Sequence, residues 1–245
     1  MRPLLAAGQI KIGDQPTIKL FGLTFDPTVI VATLVAAAVV LYFGYRMRKR
    51  ATSGVPSKLQ LLFELLAEQI SELTSTAIGE EGVKFVPLGV VLFFFILVCN
   101  WMEFLPSTLA VGVSQELLPT PTADVNLPAA MAIMVFFLCH YMSIKKRGGR
   151  GYLAHYKKPF AAMTPINIIE EITKPITLTF RLFGNIFSGV LMIAVIVTLI
   201  PPYLSWIGLL IWKPFDELFI GAIQAFIFGL LTIMYLGMGM ARDSH

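Results

Sequence analysis

Apolar residues in this 245-residue chain gather in runs long enough to cross a bilayer. Three runs lie at about residues 29–45, 83–105 and 128–144, and two longer ones cover 164–200 and 203–241. A membrane helix needs about 20 predominantly apolar residues. The pattern therefore predicts an all-α polytopic membrane protein with about five membrane-embedded helices.

One apolar pattern is amphipathic instead of continuous. Over residues 57–78, apolar positions recur at helical spacing opposite a stripe of glutamates. Ser57, with Gln60 three residues later, matches a capping box. The apolar stripe consists of Leu59, Leu62, Phe63, Leu66, Ile70 and Leu73. We expect this helix to lie along the membrane surface or against a partner.

The last two runs are too long to stand upright in a bilayer. Thr164 is a suitable N-cap with Pro165 at the first helical position, and Pro201-Pro202 ends the run. A helix of this length extends roughly 50 Å, well beyond the hydrocarbon thickness. Residues 164–241 are therefore predicted to form a strongly tilted antiparallel hairpin.

Composition and charge agree with this topology. Hydrophobic residues make up 56% of the chain and charged residues only 14%, against about 25% charged in soluble domains. The net charge is +4, but the basic residues cluster beside apolar runs, at 46–50 and 145–158, which argues against nucleic acid as a partner. The loop at 106–127 has no Lys or Arg. The positive-inside rule then places the N-terminal segment, 1–26, outside the cell and the C-terminus in the cytoplasm.

Soluble enzyme chemistry is not indicated. Cys99 and Cys139 both lie inside apolar runs, where a buried hydrophobe is the expected role. No metal-ligand spacing and no phosphate-cradling loop is visible, so we expect no metal and no cofactor. His140, His155 and His245 stand in no functional pattern.

Arg181 is the outstanding candidate for function. It lies far from either end of its apolar run, and an ionisable group at such a place is a functional hypothesis by default. No Asp or Glu stands within a turn of it, so its partner is expected on another chain. The alternative is an ion pair inside this chain with Glu217, Glu103 or Glu170.

Other polar residues follow the same helical spacing. One stripe is formed by Glu170, Lys174, Thr177, Arg181, Asn185 and Ser188. Gly184 and Gly189 make this helix thin, which permits close approach of a neighbour, through ordinary packing or for water access.

Polar residues on the remaining helices predict two routes to Arg181. Gln224 is expected opposite Arg181, with Glu217 two turns nearer the external end. An external half-channel is predicted to be lined by Asn100, Glu103, Asp124 and Asn126. A separate cytoplasmic half-channel is predicted at Glu170, Glu171, Lys174 and Thr177.

Several segments together resemble subunit a of the rotary ATP synthases. The segments are RLFGN at 181–185, PINIIEE at 165–171, QAFIF at 224–228, NWMEFLP at 100–106 and PTADVN at 121–126. The resemblance extends from about Asp26 onward. It implies a stator subunit with two offset proton half-channels, which couples proton translocation to ATP synthesis while the ATP chemistry resides on other subunits.

The resemblance also implies partners and residue roles. The partners are a c-ring of small hairpin subunits, a subunit b-type peripheral stalk, other ATP synthase subunits, membrane lipid and protons. Arg181 matches the family's essential arginine, which keeps a passing ring carboxylate ionised and blocks direct leakage. Many relatives carry Glu nine residues after that arginine, where this chain has Val190. Glu217 is therefore the expected main relay carboxylate.

Two other classes of protein remain open at this point. A secondary ion transporter would use Arg181 and Glu217 as a substrate-binding pair, but it predicts repeated halves, and no internal repeat is visible. A structural anchor would use its polar residues only to bind partner helices.

Overall fold

The computed structural model describes residues 18–20, 23–52, 54–102, 120–156 and 161–240. A short antiparallel hairpin, which the sequence pattern did not predict, pairs β1, Ile18–Leu20, with β2, Leu23–Phe25. The α-helices are α1 Pro27–Arg50, α2 Lys58–Ile78, α3 Glu80–Val83, α4 Val86–Trp101, α5 Asn126–Tyr156, α6 Thr164–Leu199, α7 Pro202–Pro214 and α8 Gly221–Met240.

The predicted membrane architecture is confirmed. Four stretches of helix are long and apolar enough to cross a bilayer: Pro27–Arg50, Asn126–Tyr152, Thr164–Leu199 and Tyr203–Met240. The remaining predicted span corresponds to the shorter apolar helix α4, which is 16 residues long. Many large apolar side chains on these helices face outward, as lipid contact requires.

The helix α1 has clear signals at both ends. Its N-cap is Asp26, whose Oδ1 accepts hydrogen bonds from the backbone N–H groups of Thr28 (2.9 Å) and Val29 (3.4 Å). Its last turn holds Arg48, Lys49 and Arg50. Cations there complement the partial negative charge of the helix C-terminus.

The amphipathic helix α2 is confirmed as a helix, with two differences from the expected pattern. Ser57 accepts the predicted bond from the Gln60 N–H at 3.3 Å, but the Gln60 side chain bonds both backbone groups of Thr52 instead of completing the capping box. Of the predicted apolar stripe, Ile70 is fully buried, whereas Leu62 and Leu73 are exposed. The buried face packs on α4 and α8, so part of the apolar surface stays outward.

The helices α4 and α8 cross at two glycines. A Cβ added to Gly229 would lie 2.7 Å from the carbonyl oxygen of Gly89, and a Cβ on Gly89 would collide with Ile233. Small residues at such crossings let two backbones approach closely, which drives helix association in membranes. The crossing holds the core formed by α4, α5, α6 and α8.

We expect Gly229→Leu to disrupt this crossing. The atom that opposes the new side chain is a backbone oxygen, which cannot rotate away, so the substitution costs at least about 1–3 kcal/mol. The measurement is the thermal stability of the purified complex and its yield. Gly44→Ala is the control, because nothing lies within 4 Å of a Cβ there; equal stability of the two variants would contradict the close packing.

The predicted hairpin is interrupted at its second arm. The helix α6 begins at Thr164, one residue earlier than expected, so Met163 and not Thr164 is the N-cap. The run after Pro202 is a single stretch of helix, but Phe215–Ile220 forms a π-turn between α7 and α8. Pro214 precedes this turn and lacks an N–H, which favours such a widening. Gly221 N–H bonds back to the Asp216 carbonyl, five residues earlier.

The two arms run antiparallel. Ile196 on α6 lies against Gly208 on α7, and Gly189, further back on α6, lies against Asp216, further on along the second arm.

The proline inside α6 does not end the helix. Pro175 lies within it, and the Thr179 hydroxyl donates to the Pro175 carbonyl at 2.8 Å. In α5, by contrast, Gly148 takes a positive φ of 73° and bends the helix beside its basic residues.

Candidate functional site

Arg181 points outward from the middle of α6. Leu178, three residues before it, and Leu182, the next residue, are 1% and 0% exposed and belong to the core. Arg181 itself is exposed, and no described residue lies within ion-pair or hydrogen-bond distance of it. A guanidinium carries five donors and stays charged, so this surface requires an anionic or water partner from outside the described chain.

Among the described residues, neither Glu217 nor Glu170 pairs with Arg181. Glu217 is paired with Lys213 at 3.4 Å, and Glu170 lies 3.9 Å from Lys174. Glu103 lies outside the described residues. The expectation of a partner on another chain therefore gains support.

The predicted polar stripe of α6 forms one outward surface. Its exposed members are Glu170, Thr177, Arg181 and Ser188, and its half-buried members are Lys174 and Asn185. The last member lies 18 positions after the first, or roughly 27 Å at 1.5 Å per residue. Gly184 opens onto free space beside it, since nothing lies within 4 Å of a Cβ at that position. We name this surface the α6 stripe.

Glu217 and Gln224 face the protein interior. They are 5% and 7% exposed; Glu217 lies within the π-turn, and Gln224 lies in the first turn of α8. The Lys213 contact to Glu217 lacks hydrogen-bond geometry, so both carboxylate oxygens are without a hydrogen-bond partner among the described residues, as is Gln224 Nε2. Burying polar atoms without a hydrogen bond costs free energy, unless a buried water molecule bonds them or the carboxylate is protonated.

A second carboxylate stands beside Glu217. Asp216 packs directly on Gly189 of α6, where any Cβ would overlap its carboxylate. Gly189 is eight residues beyond Arg181, which places this acid pair roughly 12 Å along α6 from the arginine. Of the two predicted thin positions, Gly189 thus admits a carboxylate and Gly184 faces outward.

The predicted external residues have different environments. Asn100 is 3% exposed; its Nδ2 donates to the Gly221 carbonyl at 3.1 Å, and its Oδ1 accepts from the Thr122 hydroxyl at 2.9 Å. Asp124 accepts from the backbone and side chain of Asn126 at the start of α5. The hydrogen bonds of Asn100 therefore link α4 to α8 and to the segment before α5, one turn from Glu217.

We expect Asn100→Ala to lower stability more than transport. It removes both bonds and leaves the buried Thr122 hydroxyl without its acceptor, at about 1–3 kcal/mol for a buried polar group. Complex yield and melting temperature should fall, while pumping per assembled complex keeps at least half its value. Thr122→Val is the companion variant. Loss of pumping in fully stable Asn100→Ala complexes would contradict the structural role of these hydrogen bonds.

The opposite end of the hairpin holds a second polar region. Lys174 contacts Glu171 and Glu170 and lies 5.8 Å from the ring centre of Tyr235 on α8. Glu171 and Lys174 line a cavity between α5, α6 and α8 that His140 and Tyr235 also line. The sequence pattern did not single out these last two residues, because His140 ends an apolar run beside basic residues and Tyr235 stands in no polar pattern.

The two polar regions lie on opposite sides of Arg181 along α6. Lys174 is seven residues before it, roughly 10 Å, and the Gly189–Asp216 contact is roughly 12 Å beyond it. Buried Leu178 and Leu182 separate the two regions within the core. Within the described residues, the two polar regions therefore lie apart along α6, with buried apolar side chains between them.

Comparison with known proteins gives a consistent result. A profile of the family described as ATP synthase A chain matches residues 29–237. The chain is 43% identical to ATP synthase subunit a of Acidothermus cellulolyticus, over 100% of this chain and 88% of that protein. It is 42% identical to ATP synthase subunit a of Mycobacterium leprae, over 99% and 98% of the two chains. The corresponding protein of Desulforamulus reducens is 34% identical, over 92% of this chain and 84% of its own length.

Proposed function

This chain belongs to the ATP synthase subunit a family, and we propose that it passes protons between two offset half-channels and the carboxylates of a rotating c-ring. Membership makes it a multi-pass proton-channel subunit of the Fo sector that works in complex with other ATP synthase subunits. The route of the proton, the ring contact and a subunit b-type stalk are parts of the proposal.

The observation that carries the proposal is the outward, unpaired position of Arg181. Within the described chain this permanent charge has no counter-ion, although it lies at mid-length of a helix with the hydropathy of a membrane span. A charge at such depth persists only with a partner or water. A carboxylate presented by another subunit meets this requirement, and the α6 stripe is the surface on which it would dock.

The protonation state of a ring carboxylate then changes with its position during rotation. Beside Arg181 the ionised form is favoured, whereas lipid favours the neutral, protonated form. A ring carboxylate releases its proton near the arginine and must be reprotonated before it re-enters lipid. The transmembrane potential supplies about 2.3 kcal/mol per charge per 100 mV, which is sufficient to bias the rotation.

Each polar region serves one half-channel in this proposal. Glu217 and Gln224, with Asn185 on α6, form the inner part of the external path, and Asn100, Asp124 and Asn126 lie at its mouth. Glu103, which the sequence also assigns to this path, lies outside the described residues. Glu170, Glu171, Lys174 and Thr177 lie on the cytoplasmic path. The basic residues near Gly148 set this orientation by the positive-inside rule, with the N-terminus external and the C-terminus cytoplasmic.

The proposal is tested by reconstitution. ATP synthase assembled with and without this chain is placed in liposomes, and ATP-driven acidification is followed. Pumping should require the chain, and pumping by complexes that lack it would refute the proposal. Ion exchange by the chain alone, reconstituted without its partners, would favour the secondary-transporter reading instead.

A further inference from the structure

We propose that His140 exchanges protons at the entrance of the cytoplasmic half-channel, between bulk water and Glu171. This inference rests on the proposed function and adds a residue to it. The cavity that His140 lines brings together side chains from three helices: Cys139 and His140 of α5, Glu171 and Lys174 of α6, and Tyr235 of α8. A histidine and a carboxylate thus line the same cavity.

The orientation of the imidazole leaves one nitrogen for proton exchange. Nδ1 lies 2.8 Å from the Phe136 carbonyl oxygen, which only accepts hydrogen bonds. Nδ1 must therefore carry its hydrogen in both charge states, and Nε2 is the atom that gains and loses a proton. No described residue supplies a hydrogen bond to Nε2, and the ring is held between Phe136 and Tyr152.

The cavity has a polar mouth and an apolar floor. Its polar side chains are partly exposed: His140 is half-buried, and the Glu171 and Lys174 side chains are 25% and 27% exposed. Ala132, Val135 and Leu178 are at most 2% exposed and close the deep end. The basic residues of α5 begin five positions after His140, which places the histidine at the mouth on the basic side.

The charges around His140 suit a relay. On α6, Glu171 is paired with Lys174, and Lys174 also lies over the Tyr235 ring; on α5, the neighbours are Cys139 and Tyr152. In the ATP-driven direction, a proton from water binds Nε2 to give an imidazolium, and the same nitrogen then gives it to the Glu171 carboxylate. His140 returns to its neutral form, and the proton continues along the α6 stripe toward the ring.

The test uses the complete ATP synthase in inverted vesicles, whose exterior corresponds to the cytoplasmic side. ATP-driven pumping per assembled complex is compared between wild type and His140→Gln across exterior pH. The variant-to-wild-type ratio should be near one at about pH 6 and fall to about one fifth by pH 8, where protons are scarce and an imidazole still exchanges them. Pumping by His140→Ala should be restored at least twofold by imidazole added outside.

Two controls separate proton exchange from packing. Cys139→Ala changes the same cavity without removing the imidazole and should pump at every pH like wild type. An unchanged ratio for His140→Gln, a loss equal at all pH values, or a loss in His140→Ala that imidazole does not relieve would each overturn the role. Arg181→Ala, run in parallel, distinguishes this failure from failure of the proposed function, because it should abolish pumping whatever His140 does.

Discussion

Arg181→Ala is expected to abolish ATP-driven proton pumping by fully assembled complexes. The substitution removes the charge that keeps a passing carboxylate ionised, and breaking such a pair in a low-dielectric site costs about 3–5 kcal/mol. Pumping should therefore fall by at least about 100-fold, since each 1.36 kcal/mol is a factor of ten. Acidification of inverted vesicles is the measurement, with the amount of assembled complex determined in the same preparation.

The surroundings of Arg181 provide a matched control. Ser188 lies on the same α6 stripe, but its hydroxyl donates to the Asn185 carbonyl at 2.7 Å and is satisfied within the helix. Ser188→Ala should therefore assemble and pump like wild type. Arg181→Lys keeps the charge but loses the planar fork of donors, so it should pump only weakly. Normal pumping by Arg181→Ala would make the arginine a structural charge.

Glu217→Gln is expected to have the second largest effect. The substitution preserves the shape of a side chain that is 5% exposed, yet it removes the group that takes up and releases a proton. It frees Lys213, whose side chain is 41% exposed, so the lost ion pair costs little stability. Positioned proton-transfer groups contribute about 100-fold or more to rates, and pumping should fall accordingly while assembly stays intact.

The neighbouring carboxylate gives the comparison for Glu217. Asp216→Asn removes a charge one residue away, against Gly189, and should retain at least half of the wild-type pumping. Glu217→Asp keeps the ionisable group one methylene shorter and should retain intermediate activity. Equal pumping by Glu217→Gln and wild type would show that the relay carboxylate lies elsewhere, with Asp216 as the first alternative.

Hydropathy predicted the helices well, because lipid forces every backbone group into internal hydrogen bonds. The helix bounds were predicted less closely: α6 begins one residue before the predicted Pro165, and α1, Pro27–Arg50, continues through the basic residues beyond the predicted run at 29–45. The π-turn was not predictable, since Pro214 permits it but does not fix where it forms, and the contact of Asp216 with Gly189 depends on which helices become neighbours. The β1-β2 hairpin likewise carries no turn or alternation signal strong enough to predict.

The candidate site was predictable only where an ionisable residue stands within an apolar segment. Arg181 and Glu217 stand out because each is ionisable within an apolar run. Other features depend on which helices become neighbours. They are the two hydrogen bonds of the Asn100 side chain and the cavity that His140 and Tyr235 both line. Those neighbours are set by glycine crossings such as Gly89 with Gly229, and one sequence does not reveal which glycines face each other.

Cysteine cross-linking tests most directly whether the α6 stripe faces a ring carboxylate. Asn185 is on the stripe and half-buried, whereas Phe187, two residues on, is 52% exposed on another side of α6. In a background with Cys99 and Cys139 replaced, Asn185→Cys or Phe187→Cys is paired with a cysteine one helical turn from the ring carboxylate. The account predicts an intersubunit disulfide from Asn185→Cys despite its lower exposure. Preferential linking of Phe187→Cys, or no link to the ring from either position, would contradict it.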